Sequence, residues 1–140
     1  MTPSAVAKAF RRKWWIVEMK TWPAEFRDLI EPAHITFLGR GTGEMTVCAL
    51  HAWLDTRYSL REGKPYAEFS WQGEDDGEPT CGRGWAILEV PERIAGSVFI
   101  HLGDESTFVA PSGRLLQQSA LMFAFKVSGA IICVRRGGRR

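Results

Sequence analysis

Apolar residues recur at every second position in several stretches of the chain, and bends containing glycine or proline separate those stretches. This period is the signature of half-buried β-strands. Tyr66 to Trp71 alternates most cleanly, with Ala67, Phe69 and Trp71 on one side and Tyr66, Glu68 and Ser70 on the other. Arg83 to Val90 follows, with Trp85 and Ile87 on one side, and then Ala95 to Leu102 and Ser106 to Ala110. Pro91-Glu92-Arg93 and Gly103-Asp104-Glu105 supply the bends between them. Upstream, Trp14 to Met19 and Ala33 to Leu38 are rich in aromatic and β-branched residues, and Gly39 to Gly43 turns the chain. Glu44 to Tyr58 reads as one long strand. One of its sides carries His51, Trp53 and Asp55, the other Leu50, Ala52 and Leu54, and both are fairly apolar. A strand of that length is expected to bend or bulge. Arg61 to Pro65 is a turn, and Gly73 to Gly82 reads as a polar loop.

Helical signals are sparse. Ser4 to Lys13 predicts a short helix with Ser4 as its cap. Trp22 to Ile30 predicts one or two helical turns opened by Pro23 and ended at Glu31-Pro32. Leu121 to Val127 and Ala130 to Val134 fit either two strands around Ser128-Gly129 or one buried helix. Short strands between tight turns predict a mainly β chain, a single antiparallel β-barrel or barrel-like sandwich with a short N-terminal helix. The expected organisation is a basic N-terminal segment (1–13), a β-rich domain (14–110), and an apolar C-terminal extension with a basic tail (111–140). A chain of 140 residues is long enough to build one core without a metal or disulfide staple.

Charge is unevenly placed. Lys8, Arg11, Arg12 and Lys13 precede the body, and Arg135, Arg136, Arg139 and Arg140 follow it. Positions 14 to 134 hold ten basic residues against all sixteen acidic ones. An acidic body argues against a nucleic-acid-binding face there, and the basic ends read most simply as solvated tails. Cys48, Cys81 and Cys133 form no C-x-x-C pair, and no secretory pattern opens the chain. Free thiols in a reducing cytoplasm are therefore expected. The longest apolar run, Leu121 to Val134, has 14 residues and includes Lys126. It falls short of the ~20 residues of a transmembrane helix, so no membrane partner is expected.

Catalytic signals are weak. His34, His51, His101 and the three cysteines lack the close spacing of a local zinc site, so neither a metal nor a cofactor is expected. Glu74, Asp75, Asp76 and Glu78 cluster without the ligand periodicity of a calcium loop. Ser70 lacks the G-x-S-x-G elbow, and Gly39 to Gly43 has no Walker lysine. His101 sits beside Asp104, Glu105 and Ser106, a cluster that a simple turn also explains. His51, Trp53, Asp55 and Arg57 make the best polar stripe in the chain.

Several strings resemble a group of small bacterial proteins with no established activity: Pro32 to Phe37, Trp53 to Tyr58, Phe69 to Gly73, Gly82 to Ala86 and His101 to Phe108. The resemblance covers Trp14 to Ala110. The pattern of Gly82, Gly84, Trp85, Ala86, Gly96, Phe99 and His101 is similar to the hairpins of calycin-type barrels such as avidins and lipocalins. That likeness implies a barrel and carries no function.

The expected function is a non-enzymatic binding module. An aromatic interior of Trp53, Phe69, Trp71, Trp85 and Phe99 would surround Asp55, Arg57 and His101, with a small molecule or a protein partner as ligand. The competing expectations are a small hydrolase using His101 with Asp55 or Asp104, and an interaction or homo-oligomerisation domain acting through the C-terminal segment.

Overall fold

A computed structural model of the protein describes residues 2–113. The expectations for the segment beyond Gly113, including the Leu121 to Val134 run, fall outside these described residues. The fold is mainly β, as the alternation predicts. Nine strands form one antiparallel sheet: β1 (Lys13–Trp15), β2 (Glu18–Met19), β3 (His34–Phe37), β4 (Thr42–Val47), β5 (Leu50–Arg61), β6 (Lys64–Asp75), β7 (Glu78–Val90), β8 (Arg93–Ile100) and β9 (Glu105–Pro111). Their order across the sheet is β1-β3-β4-β5-β6-β7-β8-β9-β2.

β1 and β2 belong to one run of chain. Trp14 pairs with Ile35 of β3, whereas Met19 pairs with Phe108 of β9. Between them the Ile16 N–H donates to the Ala33 carbonyl and the Val17 N–H to the Val109 carbonyl. The expected Trp14 to Met19 strand is therefore split where the backbone changes partner, and it ties together the two edges of a curled, barrel-like sheet.

The expected long strand from Glu44 to Tyr58 is instead a hairpin. Val47 faces Leu50 across a turn at Cys48-Ala49, with Cys48 at φ +55°. The turn reverses which parity points inward. Met45 and Val47 are buried before it, and Leu50, Ala52 and Leu54 after it. Read as one strand, these two sets fall on opposite sides, which is why both sides look apolar. The expected polar loop from Gly73 to Gly82 is also strand. β6 and β7 continue to a two-residue turn, Asp76-Gly77, whose φ values of +54° and +86° suit a tight hairpin.

Helix α1 (Pro3–Phe10) is capped by Thr2, whose hydroxyl accepts from the Ala5 N–H at 3.1 Å; Ser4 lies inside the helix. The helix is no free tail, because Val6 and Phe10 are buried in the core. Phe10 meets Phe37 at 5.3 Å and Tyr58 at 5.8 Å between ring centroids. The Trp14 indole N–H donates to the Phe10 carbonyl at 2.9 Å, so a fully buried Trp keeps its polar atom satisfied. Helix α2 (Ala24–Arg27) is a single turn with Pro23 at its N-cap. Two ends of the barrel follow from the turns. α1, the Gly39–Gly41 turn, the β5–β6 turn and the β7–β8 turn mark one end. α2 and the β4–β5, β6–β7 and β8–β9 turns mark the other. Among the described residues no helix is long and apolar enough to cross a membrane.

Candidate binding face

The alternation of β5 to β8 decides which predicted site residues meet. Leu50, Ala52, Leu54 and Thr56 of β5 are buried, so His51, Trp53, Asp55 and Arg57 point outward. On β6, Phe69 and Trp71 point inward. On β7, Gly84 and Ala86 are the buried positions, and the half-buried Trp85 between them faces outward. Phe99 pairs with Arg83 on that same outer side. The aromatic-interior expectation thus holds for Phe69 and Trp71. It is corrected for Trp53, Trp85 and Phe99, because the pleat that buries Leu54, Ala86 and Val98 turns these three outward. Trp53 is 59% exposed.

The inner space is occupied by side chains. The Trp71 indole lies over Gly82 and the Phe69 ring over Gly84, both glycines on the neighbouring β7. Trp71 Nε1 donates to the Arg83 carbonyl at 3.3 Å.

On the outside, an open groove of about 500 Å³ crosses β5 to β8. Asp55, Arg57, Glu68, Arg83, Trp85 and Phe99 line it, together with Tyr66 and Ser70. The register explains this grouping. Asp55, Ser70, Arg83 and Phe99 form one cross-strand row, and Arg57, Glu68 and Trp85 form the next. Tyr66 stacks on Trp85 with centroids 6.0 Å apart and planes at 23°, while the Arg61 guanidinium lies 4.1 Å from the Tyr66 ring. This sandwich fixes Trp85 as a wall. Arg57 and Asp55 form an exposed ion pair at 2.8 Å. Glu68 and Arg83 have no ion pair among the described residues.

No family model, curated protein or solved structure matches this chain.

A second outer concavity, of about 700 Å³, lies nearer the opposite end of β5 to β7 and includes His51, Trp53, Glu74 and Cys81. His51 Nδ1 is 3.1 Å from the Thr46 hydroxyl, its ring meets Trp53 edge-on at 5.1 Å, and its Nε2 is 3.9 Å from Glu44. These contacts form a cross-strand network, with no nucleophile–base hydrogen bond among them. Among the described residues no three His, Cys, Asp or Glu side chains converge as metal ligands.

His101 lies in the exposed β8–β9 turn, where its backbone N–H donates to the Cys81 carbonyl at 2.8 Å. The Ile100 N–H donates to the Asp104 carbonyl at 2.9 Å in the same turn. Asp55 sits on β5, three strands from β8, a lateral separation of roughly 14 Å. The structure does not bring His101 and Asp55 together.

Two buried polar features escape sequence reasoning. Arg27 and Asp28 form a bidentate pair at 3.1 and 2.8 Å, and Asp28 also accepts from the Ala33 N–H. Arg27 donates to the Val17 carbonyl, which anchors α2 to the run between β1 and β2. His34 is buried, with Nδ1 3.0 Å from the Pro32 carbonyl and its ring edge-on to Trp15. Burial holds its pKa below the ordinary histidine value, with Lys13 adding to the effect and the Pro32 carbonyl opposing it. Charged neighbours in sequence give no sign of burial, so neither feature has a signal in the chain.

Proposed function

We propose that this protein is a non-enzymatic binding module that takes a peptide segment of a protein partner in the outer groove across β5 to β8. One observation carries the reading: Asp55, Arg57 and Trp85 line the same groove as Tyr66, Arg83 and Phe99. Aromatic residues and arginine are the side chains most often found at energetic centres of protein interfaces. Small-molecule sites generally enclose most of their ligand. An open groove on a sheet face suits an extended chain better, and its mixed charges suit a polar peptide. Trp71, buried under the sheet, supports the groove floor in this reading. Trp53 and His101 lie outside the groove lining. The proposed setting is a reducing cytoplasm, in keeping with the exposed free thiol of Cys81.

Selection of random peptides displayed on phage against the immobilised full-length protein tests the reading, with calorimetry on the selected peptides. Binding should weaken at least about tenfold in Arg83→Ala and in Trp85→Ala, as expected for hot-spot truncation. Arg83 is exposed and has no ion pair among the described residues, so its variant is expected to stay folded. Recovery of no peptide, or of peptides that bind both variants like the natural chain, would remove the proposal.

A further inference from the structure

The two ends of the barrel carry opposite charge. Residues 2–13, 38–42, 60–65 and 89–93 gather at the α1 end, and they hold eight basic residues against Glu62, Glu89 and Glu92. Residues 20–31, 47–50, 74–79 and 100–105 gather at the other end, and they hold nine acidic residues against Lys20 and Arg27. A separation of this kind orients a molecule in an external field and steers its basic end toward anions.

At the basic end, Lys8, Arg11, Arg40 and Lys64 are exposed and make no ion pair among the described residues. Arg12, Lys13 and Arg61 lie over the rings of Trp14, Trp15 and Tyr66, which holds their charges at the surface. Three exposed aliphatic side chains stand among these cations: Leu38, Leu60 and Val90, at 45%, 41% and 48% exposure. Aliphatic tips set among lysine and arginine match the interface of an anionic bilayer, where headgroups meet the cations and the tips reach the acyl boundary. A nucleic acid would use the cations and leave the aliphatic tips without a role.

The last described residues also lie at this end. β9 finishes at Pro111, and the Ser112 N–H donates to the Glu92 carbonyl in the β7–β8 turn. Positions 114–140 add six basic residues, no acidic residue, and the Leu121 to Val134 apolar run.

The geometry points to this basic end as a docking surface for anionic phospholipid, with Leu38, Leu60 and Val90 entering the headgroup layer. The expectation that no membrane partner exists rested on the length of a spanning helix, which peripheral docking does not need. The surface is distinct from the β5–β8 groove.

Flotation of the full-length protein with phosphatidylcholine vesicles, with and without phosphatidylserine, tests the assignment. Binding is expected only to the vesicles containing phosphatidylserine, and it should weaken as salt is raised. A triple variant, Arg11→Glu, Arg40→Glu and Lys64→Glu, should lose at least about tenfold in partitioning. The double variant Leu60→Ser, Val90→Ser should also bind more weakly at constant charge. Circular dichroism monitors the fold of each variant, and all five positions are exposed. Absence of vesicle binding, or equal binding by the folded triple variant, would overturn the assignment. Tighter binding to a single-stranded oligonucleotide than to the phosphatidylserine vesicles would overturn it in favour of nucleic acid.

Discussion

The indole of Trp71 on β6 fills the space that a side chain at Gly82 on β7 would need: a Cβ built at Gly82 lies 2.6 Å from Trp71 Cζ2. The next inward glycine repeats the arrangement, because a Cβ at Gly84 lies 2.6 Å from Phe69 Cζ and 2.7 Å from the Ser97 carbonyl. Large rings on one strand thus pack flush on bare backbone of its neighbour, a device that lets aromatics fill a narrow core. Gly84→Ala is expected to destabilise the fold by about 1–3 kcal/mol through overpacking. Urea unfolding followed by tryptophan fluorescence reads this, and an unchanged midpoint would show that both the Phe69 ring and the Ser97 backbone give way.

The Arg27–Asp28 pair predicts a larger effect. Both side chains are almost completely removed from solvent, and each makes further bonds to backbone. Removing one partner leaves the other charge buried and alone. Asp28→Ala is expected to cost about 3–5 kcal/mol. The double variant Arg27→Met, Asp28→Leu should recover part of that loss. Equal destabilisation by the single and double variants would mean that the backbone anchors matter more than the charges.

Tyr58 should declare itself in alkali. Burial beside Phe10 and Phe37 pushes its pKa up to about 12, with Arg11 opposing. The folded pKa lies above the unfolded value of 10.0. The contribution is therefore fully present below pH 10 and disappears as pH rises toward 12. An ultraviolet titration should show a phenolate step near pH 12 that is missing in Tyr58→Phe. Ionisation of Tyr58 near pH 10 would contradict this packing.

His34 gives the opposite limb. Its folded pKa lies below the unfolded value of 6.5, so the unfolded chain binds the proton more readily. Stability is full above about pH 6.5 and declines as the solution is acidified toward the lowered pKa. Nuclear magnetic resonance of the imidazole protons should place His34 below 6.5, and His34→Phe should flatten the urea midpoint between pH 7 and 5.5. A His34 midpoint at or above 6.5 would refute the burial argument.

Phe69 and Trp71 are legible as core because Tyr66 to Trp71 alternates without interruption and burial follows that period. The Glu62-Gly63 and Asp76-Gly77 turns lie where glycine permits positive φ, although the second sits inside a stretch whose polarity reads as loop. The Cys48-Ala49 turn is illegible for a different reason. Cys48 adopts φ +55° with no glycine or asparagine to mark it, so two strands of opposite parity read as one. That single misreading hides which side of β5 faces inward, and with it the outward placement of Trp53, Asp55 and Arg57. The groove partners Tyr66, Glu68 and Arg83 come from register between strands, which no local pattern encodes.

The run from Lys13 to Met19 has a kinetic consequence. Its first half pairs with residues about twenty positions ahead, and its second half with residues about ninety positions ahead. On the ribosome, β1 can wait only briefly for β3, whereas β2 has no partner until β9 has emerged. Sealing of the sheet is therefore a late event that involves nearly the whole described chain, and contacts of such separation in sequence form slowly. Until it happens, β2 and β9 lack their partners, and nascent copies held in that state are the ones most exposed to pairing with each other.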